Sequence, residues 1–216
     1  MKDGFVKAAA ASPVIKVADA EYNAQQVIKC MAAAREKGVK LLVFPELTLT
    51  GCFCYDLVGH RVLLEGAAAA LEKVVKASEG TDMLVLVGLP YAFGSRLLSC
   101  AAVIYDGALL ALIPRENVAG SRFADYPGEG ELVYVGALET ELCPGALFAH
   151  RSLNGLTVAV ELGADVTAAD SPTAYYAQSG ATVIAQMASF PATVSSTDDA
   201  LLAARYESKR FACGLV

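Results

Sequence analysis

Apolar positions along the chain fall into short continuous runs separated by stretches with helical spacing. Residues 5–11 form an apolar run that predicts a strand, closed by Ser12-Pro13. Asp19 suits the N-cap of a helix over 20–37, in which Ala24, Val27, Ile28, Met31 and Ala34 share one face and Gly38 is the expected stop. Residues 40–44 read as a strand buried on both faces and ended by Pro45. A helix is predicted over 63–78, with Gly80 beyond it, and a second doubly buried strand over 83–89, stopped by Pro90. Asp106-Gly107 joins the runs 98–105 and 108–114 as a two-residue hairpin, and Asn154-Gly155 joins 147–153 to 156–162 in the same way. The stretch 115–131 is polar and contains glycine, so it reads as a loop. A short helix follows Asp170-Ser171-Pro172, with Pro172 in its first turn, and a strand covers 182–188. Asp198 or Asp199 caps a last helix to about residue 211, and Leu215-Val216 begins another apolar segment.

Strands that alternate with helices, interrupted by hairpins, predict a layered α/β fold with mixed sheets. A length of 216 residues suits one such domain. Hydrophobic residues at 55% against charged residues at 19% exclude intrinsic disorder. A net charge of -6 repels phosphate backbones, so nucleic acid is not an expected partner. No apolar run reaches the roughly 18–20 residues that span a bilayer, and the first residues, Met1-Lys2-Asp3-Gly4, lack the apolar region of a signal peptide. The expectation is a cytoplasmic protein with no membrane partner.

Six cysteines, Cys30, Cys52, Cys54, Cys100, Cys143 and Cys213, form no C-x-x-C pair, and His60 and His150 do not complete zinc spacing, so no metal site is expected. The sequence contains no G-x-x-x-x-G-K-[ST] phosphate cradle, and Gly128-Glu129-Gly130 is acidic, so no nucleotide cofactor is expected either. Glu46 stands out: it follows a buried strand directly, at the strand end where α/β folds place ligands and where a carboxylate suits general-base work. A paired structural acid would occupy the same position.

The residues also carry a resemblance. Met1-Lys2-Asp3-Gly4-Phe5-Val6-Lys7, Glu21-Tyr22-Asn23-Ala24, Lys40-Leu41-Leu42-Val43-Phe44-Pro45-Glu46-Leu47, Leu49-Thr50-Gly51, Val87-Gly88-Leu89-Pro90 and Cys100-Ala101-Ala102-Val103-Ile104-Tyr105 resemble the glutaminase domain of glutamine-dependent NAD synthetases. That domain belongs to the nitrilase, or carbon–nitrogen hydrolase, superfamily. The resemblance implies a four-layer α-β-β-α sandwich over 1–216, shortened at its C-terminus and without the synthetase domain. It further implies a homo-oligomer, glutamine as the ligand of an intact pocket, and a site in which a glutamate, a lysine and a cysteine hydrolyse an amide.

Glu46 matches the glutamate. The other two positions depart from the pattern. The lysine position holds Arg115, which keeps the charge but does not readily give up a proton. The cysteine position, after Val158-Ala159-Val160-Glu161-Leu162, holds Gly163, which can form no thioester. Asp165 is retained from the pattern, whereas the substrate-pocket stretch 186–191, with Ser189, is altered. Asp165 and Ser189 are the expected substrate contacts. The expectation is an amidase scaffold whose chemistry is gone. The alternative is an active amide hydrolase that supplies ammonia using Cys52 or Cys54, both read here as packing residues.

Overall fold

A computed structural model describes residues 5–189, 193–194 and 196–216. Its elements run β1 (Ala8–Ala10), α1 (Ala20–Glu36), β2 (Leu41–Val43), α2 (Arg61–Ala77), β3 (Leu84–Phe93), β4 (Arg96–Tyr105), β5 (Ala108–Pro114), β6 (Glu131–Val135), β7 (Leu138–Leu142), β8 (Phe148–Ala149), β9 (Thr157–Leu162), α3 (Thr173–Gln178), β10 (Val183–Met187), α4 (Ser196–Phe211) and β11 (Gly214–Leu215). One sheet has the order β1-β2-β3-β4-β5-β7-β6 and the other β11-β10-β9-β8. Both mix parallel and antiparallel pairs.

Alternation along the strands divides the core into three layers. Leu42, Val85, Val87, Cys100, Ala102 and Leu112 face α1 and α2, packing on Val27, Met31, Leu71 and Val74. Their neighbours Leu41, Val43, Leu86, Ala101, Val103 and Ile113 face the second sheet and meet Val158, Val160, Leu162, Ala185 and Met187. Ala159 and Ile184, on the far side of that sheet, pack under Tyr176 and Cys213. The result is the expected α-β-β-α sandwich with mixed sheets, whose central apolar layer lies between two sheets rather than between sheet and helix.

Several boundaries differ from the sequence reading, each for a local reason. β1 is limited to three residues because β2 offers only Leu41–Val43 as partners. β3 runs through Pro90, which pairs with Ser99, and turns at Gly94-Ser95 into β4, a hairpin that the sequence did not announce. Leu84, Leu86 and Gly88 direct their backbone groups toward β2 and the turn after it. Pro90 is in phase with them, so its missing N–H falls where β2 has already ended and no ladder bond is lost. The hairpin of β6 and β7 is a further difference: it directly follows a polar loop, and Val133 and Val135 are buried while Leu132 and Tyr134 face solvent. The second predicted hairpin is reduced to the pairs Phe148–Val158 and Ala149–Thr157, with Asn154-Gly155 turning inside a wider loop. α4 begins at Ser196, so Asp198 and Asp199 sit in its first turn rather than capping it, and Pro172 precedes α3 as its N-cap. Asp106 and Gly107 both take positive φ, 45° and 78°, as the two-residue hairpin requires.

α4 has no fully buried side chain among its described residues. Phe211 packs at the edge of the third layer, and polar contacts add to this: Gln186 Nε2 donates to Glu207 Oε2 at 2.7 Å and to Glu161 Oε2 at 3.2 Å. Burial pushes the Glu207 carboxyl above its ordinary range, against the hydrogen bond from Gln186 that lowers it. A raised carboxyl pKa in the folded state means that ionisation opposes folding, so the penalty is absent below the unfolded value and grows as pH rises through the folded one. Glu207→Gln should therefore match the parent in chemical denaturation near pH 4 and exceed it in stability at pH 7.

Candidate active site

The central layer between the sheets ends where β2, β5 and β9 finish, and three side-chain positions converge there. Glu46 follows β2 in a tight turn. Leu47 takes a positive φ of 56°, Thr48 Oγ1 donates to the Pro45 carbonyl at 2.6 Å, and Leu49 N donates to the Gly88 carbonyl at 3.1 Å. Gly88 makes this approach possible, since a Cβ there would stand 2.4 Å from Leu47 N and 2.8 Å from Pro45 O. The turn aims a carboxylate that is only 7% exposed into the end of the apolar layer.

Arg115 follows β5, its backbone N–H donating to the Ser99 carbonyl at 2.9 Å. Its Nη1 donates to Glu46 Oε1 at 3.2 Å and its Nε to the Asn117 carbonyl at 2.8 Å. Ser99, fully buried, donates from Oγ to the same Glu46 oxygen at 2.7 Å. Gly163 closes the group. It opens a 3-10 turn over Gly163–Thr167 with φ of 52°, a left-handed conformation that costs glycine little. A Cβ on Gly163 would lie 2.6 Å from Glu46 Oε2 and 3.0 Å from both Cζ and Nη1 of Arg115. The three positions singled out in the sequence thus meet within contact distance, and the arginine fills the space that a side chain on residue 163 would need.

Asp165 holds the arrangement from behind. Its Oδ1 accepts from Asn117 N at 2.6 Å and Asn117 Nδ2 at 3.0 Å, and its Oδ2 from Glu116 N at 3.2 Å and Leu162 N at 3.3 Å. With 1% exposure and four donors, this carboxylate clamps the loop after β5 onto the end of β9. Ser189 is half-buried beyond β10, and residues 190 and 191 of the altered stretch lie outside the described residues, as do 1–4. A recess of about 440 Å³ opens beside Arg115, bordered by Glu116, Asp125, Tyr126 and Tyr175. Neither Asp165 nor Ser189 lines it. Glu116 accepts from Tyr176 Oη at 2.8 Å, and desolvation pushes its carboxyl above the ordinary range.

The other candidates lie apart. Cys54 is buried among Val58 and Leu63, donates to the Thr50 and Gly51 carbonyls at 3.0 and 3.2 Å, and has its thiol pushed up by burial. Cys52 is exposed rather than packed, because the chain turns outward there before a 3-10 segment at Tyr55–Gly59. Burial pushes Cys143 up to about 11. His150 has Nε2 3.7 Å from Asp82 Oδ1. Sequence reasoning missed Ser99, Asn117 and Tyr176. Only Ser99 left a signal, as the single serine within the apolar run of β4.

The carbon–nitrogen hydrolase family model matches residues 7–198. This chain belongs to the carbon–nitrogen hydrolase family. As a family member it is 31% identical over 214 residues to the glutamine-dependent NAD(+) synthetase of Mycobacterium leprae and 32% identical to that of Mycobacterium tuberculosis. Each alignment covers 96% of this chain and 32% of the relative, so this hydrolase domain spans about a third of their length. In fold it is similar to a glutamine-dependent NAD(+) synthetase from Cytophaga hutchinsonii, with a TM-score of 0.82, 17% identity, and coverage of 98% of this chain and 36% of that one. A nitrilase-superfamily amidase of Nesterenkonia AN1, in a variant form, gives a TM-score of 0.74, 16% identity, and coverage of 100% and 76%.

The Glu46–Arg115 pair carries a specific energetic expectation. Both side chains are nearly excluded from water, at 6% and 11% exposure. Removing one partner of a buried pair strands the other charge, a loss of about 3–5 kcal/mol. Arg115→Ala should show that loss in urea unfolding, and Glu46→Gln added to it should recover part of it. Strictly additive losses would show that the two do not act as a pair.

Proposed function

We propose that this carbon–nitrogen hydrolase domain does not turn over amides and acts in the cytoplasm as a binding or assembly module. The observation that carries the reading is the glycine at position 163, whose missing Cβ would face the Glu46 carboxylate at 2.6 Å. In a glutamate-to-glutamine variant of the Nesterenkonia AN1 amidase, acrylamide adds to the active-site cysteine. The corresponding place here, by resemblance, offers no sulfur. Loss of a covalent nucleophile costs on the order of 10⁶ in turnover.

Arginine in place of lysine supports the same reading. An ammonium is compact and moves protons; a guanidinium holds its charge and spreads over a wider plane. Here that plane lies against the carboxylate that would have to act as base. The resident groups neutralise each other, which leaves a closed ion pair instead of an acid, a base and a nucleophile. The rival reading, glutamine hydrolysis through Cys52 or Cys54, has less support: Cys54 spends its thiol on two carbonyls and its proton is held tightly by burial.

Assembly draws support from the outer helices. Leu201, Leu202 and Tyr206 on α4 and Tyr175 on α3 are half or more exposed, an apolar surface suited to a second copy. Purified protein incubated with glutamine should release no ammonia above a heat-inactivated control. Ammonia release that Glu46→Gln abolishes would overturn the proposal.

A further inference from the structure

The apolar layer between the sheets has a second end. Lys40 and Leu41 begin the path into β2, Leu84 starts β3, Tyr105 ends β4 and Val158 lies at the start of β9, so this end is opposite the one that holds Glu46, Ser99, Arg115 and Gly163. Here the sheets do not close. β8 contributes only two paired residues, and the chain then leaves the sheet at His150 to return at Thr157. The gap is a cavity of about 680 Å³, within the range of small-molecule sites. Its walls are largely apolar, with Leu41, Leu84, Phe148 and Leu156 among them.

The polar groups of this cavity are ordered around Asp82. Its carboxylate takes an ion pair from Lys40 and a hydrogen bond from Tyr105 Oη at 2.9 Å. His150 Nδ1 accepts from Ser152 N at 3.1 Å, which leaves Nε2 as the protonated nitrogen facing Asp82. The Lys40 hydrogen bond, aided by that of Tyr105, holds the Asp82 carboxyl below its ordinary range. The acid is thus committed to three partners. Arg151 lines the same cavity, is exposed, and has no carboxylate within ion-pair distance among the described residues. One uncompensated cation therefore stands at an apolar slot between two sheets.

We propose that this cavity is a second binding site, independent of the Glu46 centre, for an apolar monocarboxylate of medium-chain fatty-acid size. The hydrocarbon body would occupy the slot between the sheets, where each methylene removed from water contributes about 0.8 kcal/mol, and the carboxylate would meet the guanidinium of Arg151. With Asp82 already in the cavity wall, one free guanidinium fits a monoanion better than a doubly charged phosphate.

Calorimetric titration of the full chain with octanoate, and in parallel with 1-octanol, tests this. Saturable one-to-one binding of octanoate is expected. Leu110 lines the cavity and is 44% exposed, so Leu110→Trp should fill the slot without disturbing the core and weaken both ligands at least tenfold. Arg151→Ala should weaken octanoate about tenfold and leave 1-octanol within twofold. No saturable octanoate binding, unchanged affinity in Leu110→Trp, or an Arg151→Ala variant that separates octanoate from 1-octanol as the parent does would each overturn the proposal.

Discussion

A charge in the apolar layer between two sheets must be paired, and the pair of Glu46 with Arg115 meets that demand at the point where three strands end. Each element around it can be read as serving the pair. Gly88 admits the turn that delivers the carboxylate, Ser99 adds a hydroxyl to the same oxygen, and Asp165 fastens the loop that carries the guanidinium. The absence of a side chain at residue 163 is the condition for the pair's geometry. A Cβ there would collide with both partners, so the arginine and the glycine are complementary in volume as well as in chemistry. This end of the sandwich thereby holds a closed, packed ion pair with a recess beside it.

The two ends of the sandwich interior contrast. At one, charge pairing and the clamp of Asp165 close the space between the sheets. At the other, a strand of two residues leaves the sheets apart and the polar groups gather at the rim. Closure costs precise hydrogen bonding, and the open end retains apolar surface that no strand among the described residues covers. Both follow from strand length: β9 is long enough to reach Gly163, and β8 is too short to seal the opening at its start.

Much of this was legible in the residues. The apolar runs at β2 and β5, the cap at Asp19, whose carboxylate accepts from Tyr22 N, and the Asp106-Gly107 turn obey local rules strongly enough to place the main sheet. Glu46 was visible because a carboxylate directly after a buried strand is rare in a core, and Arg115 and Gly163 because the resemblance places a lysine and a cysteine there. What escaped depends on tertiary partners. Pro90 continues a strand because its neighbour has ended, and β6 and β7 pair across a turn with no Asn-Gly or Asp-Gly signal. Asp165 spends its oxygens on a loop almost fifty residues away in sequence, which spacing alone does not reveal. The Asp82–His150 contact joins two strand ends that only the sandwich brings together.

The central claim, carried over from the proposed function, is that no cysteine sulfur among the described residues stands beside Glu46 in position to attack an amide carbonyl. Intact-protein mass spectrometry after incubation with a diazo-ketone analogue of glutamine tests it most directly. The account predicts a parent mass without adduct. A stoichiometric adduct mapped to any cysteine, and lost when Glu46 is replaced by glutamine, would contradict it.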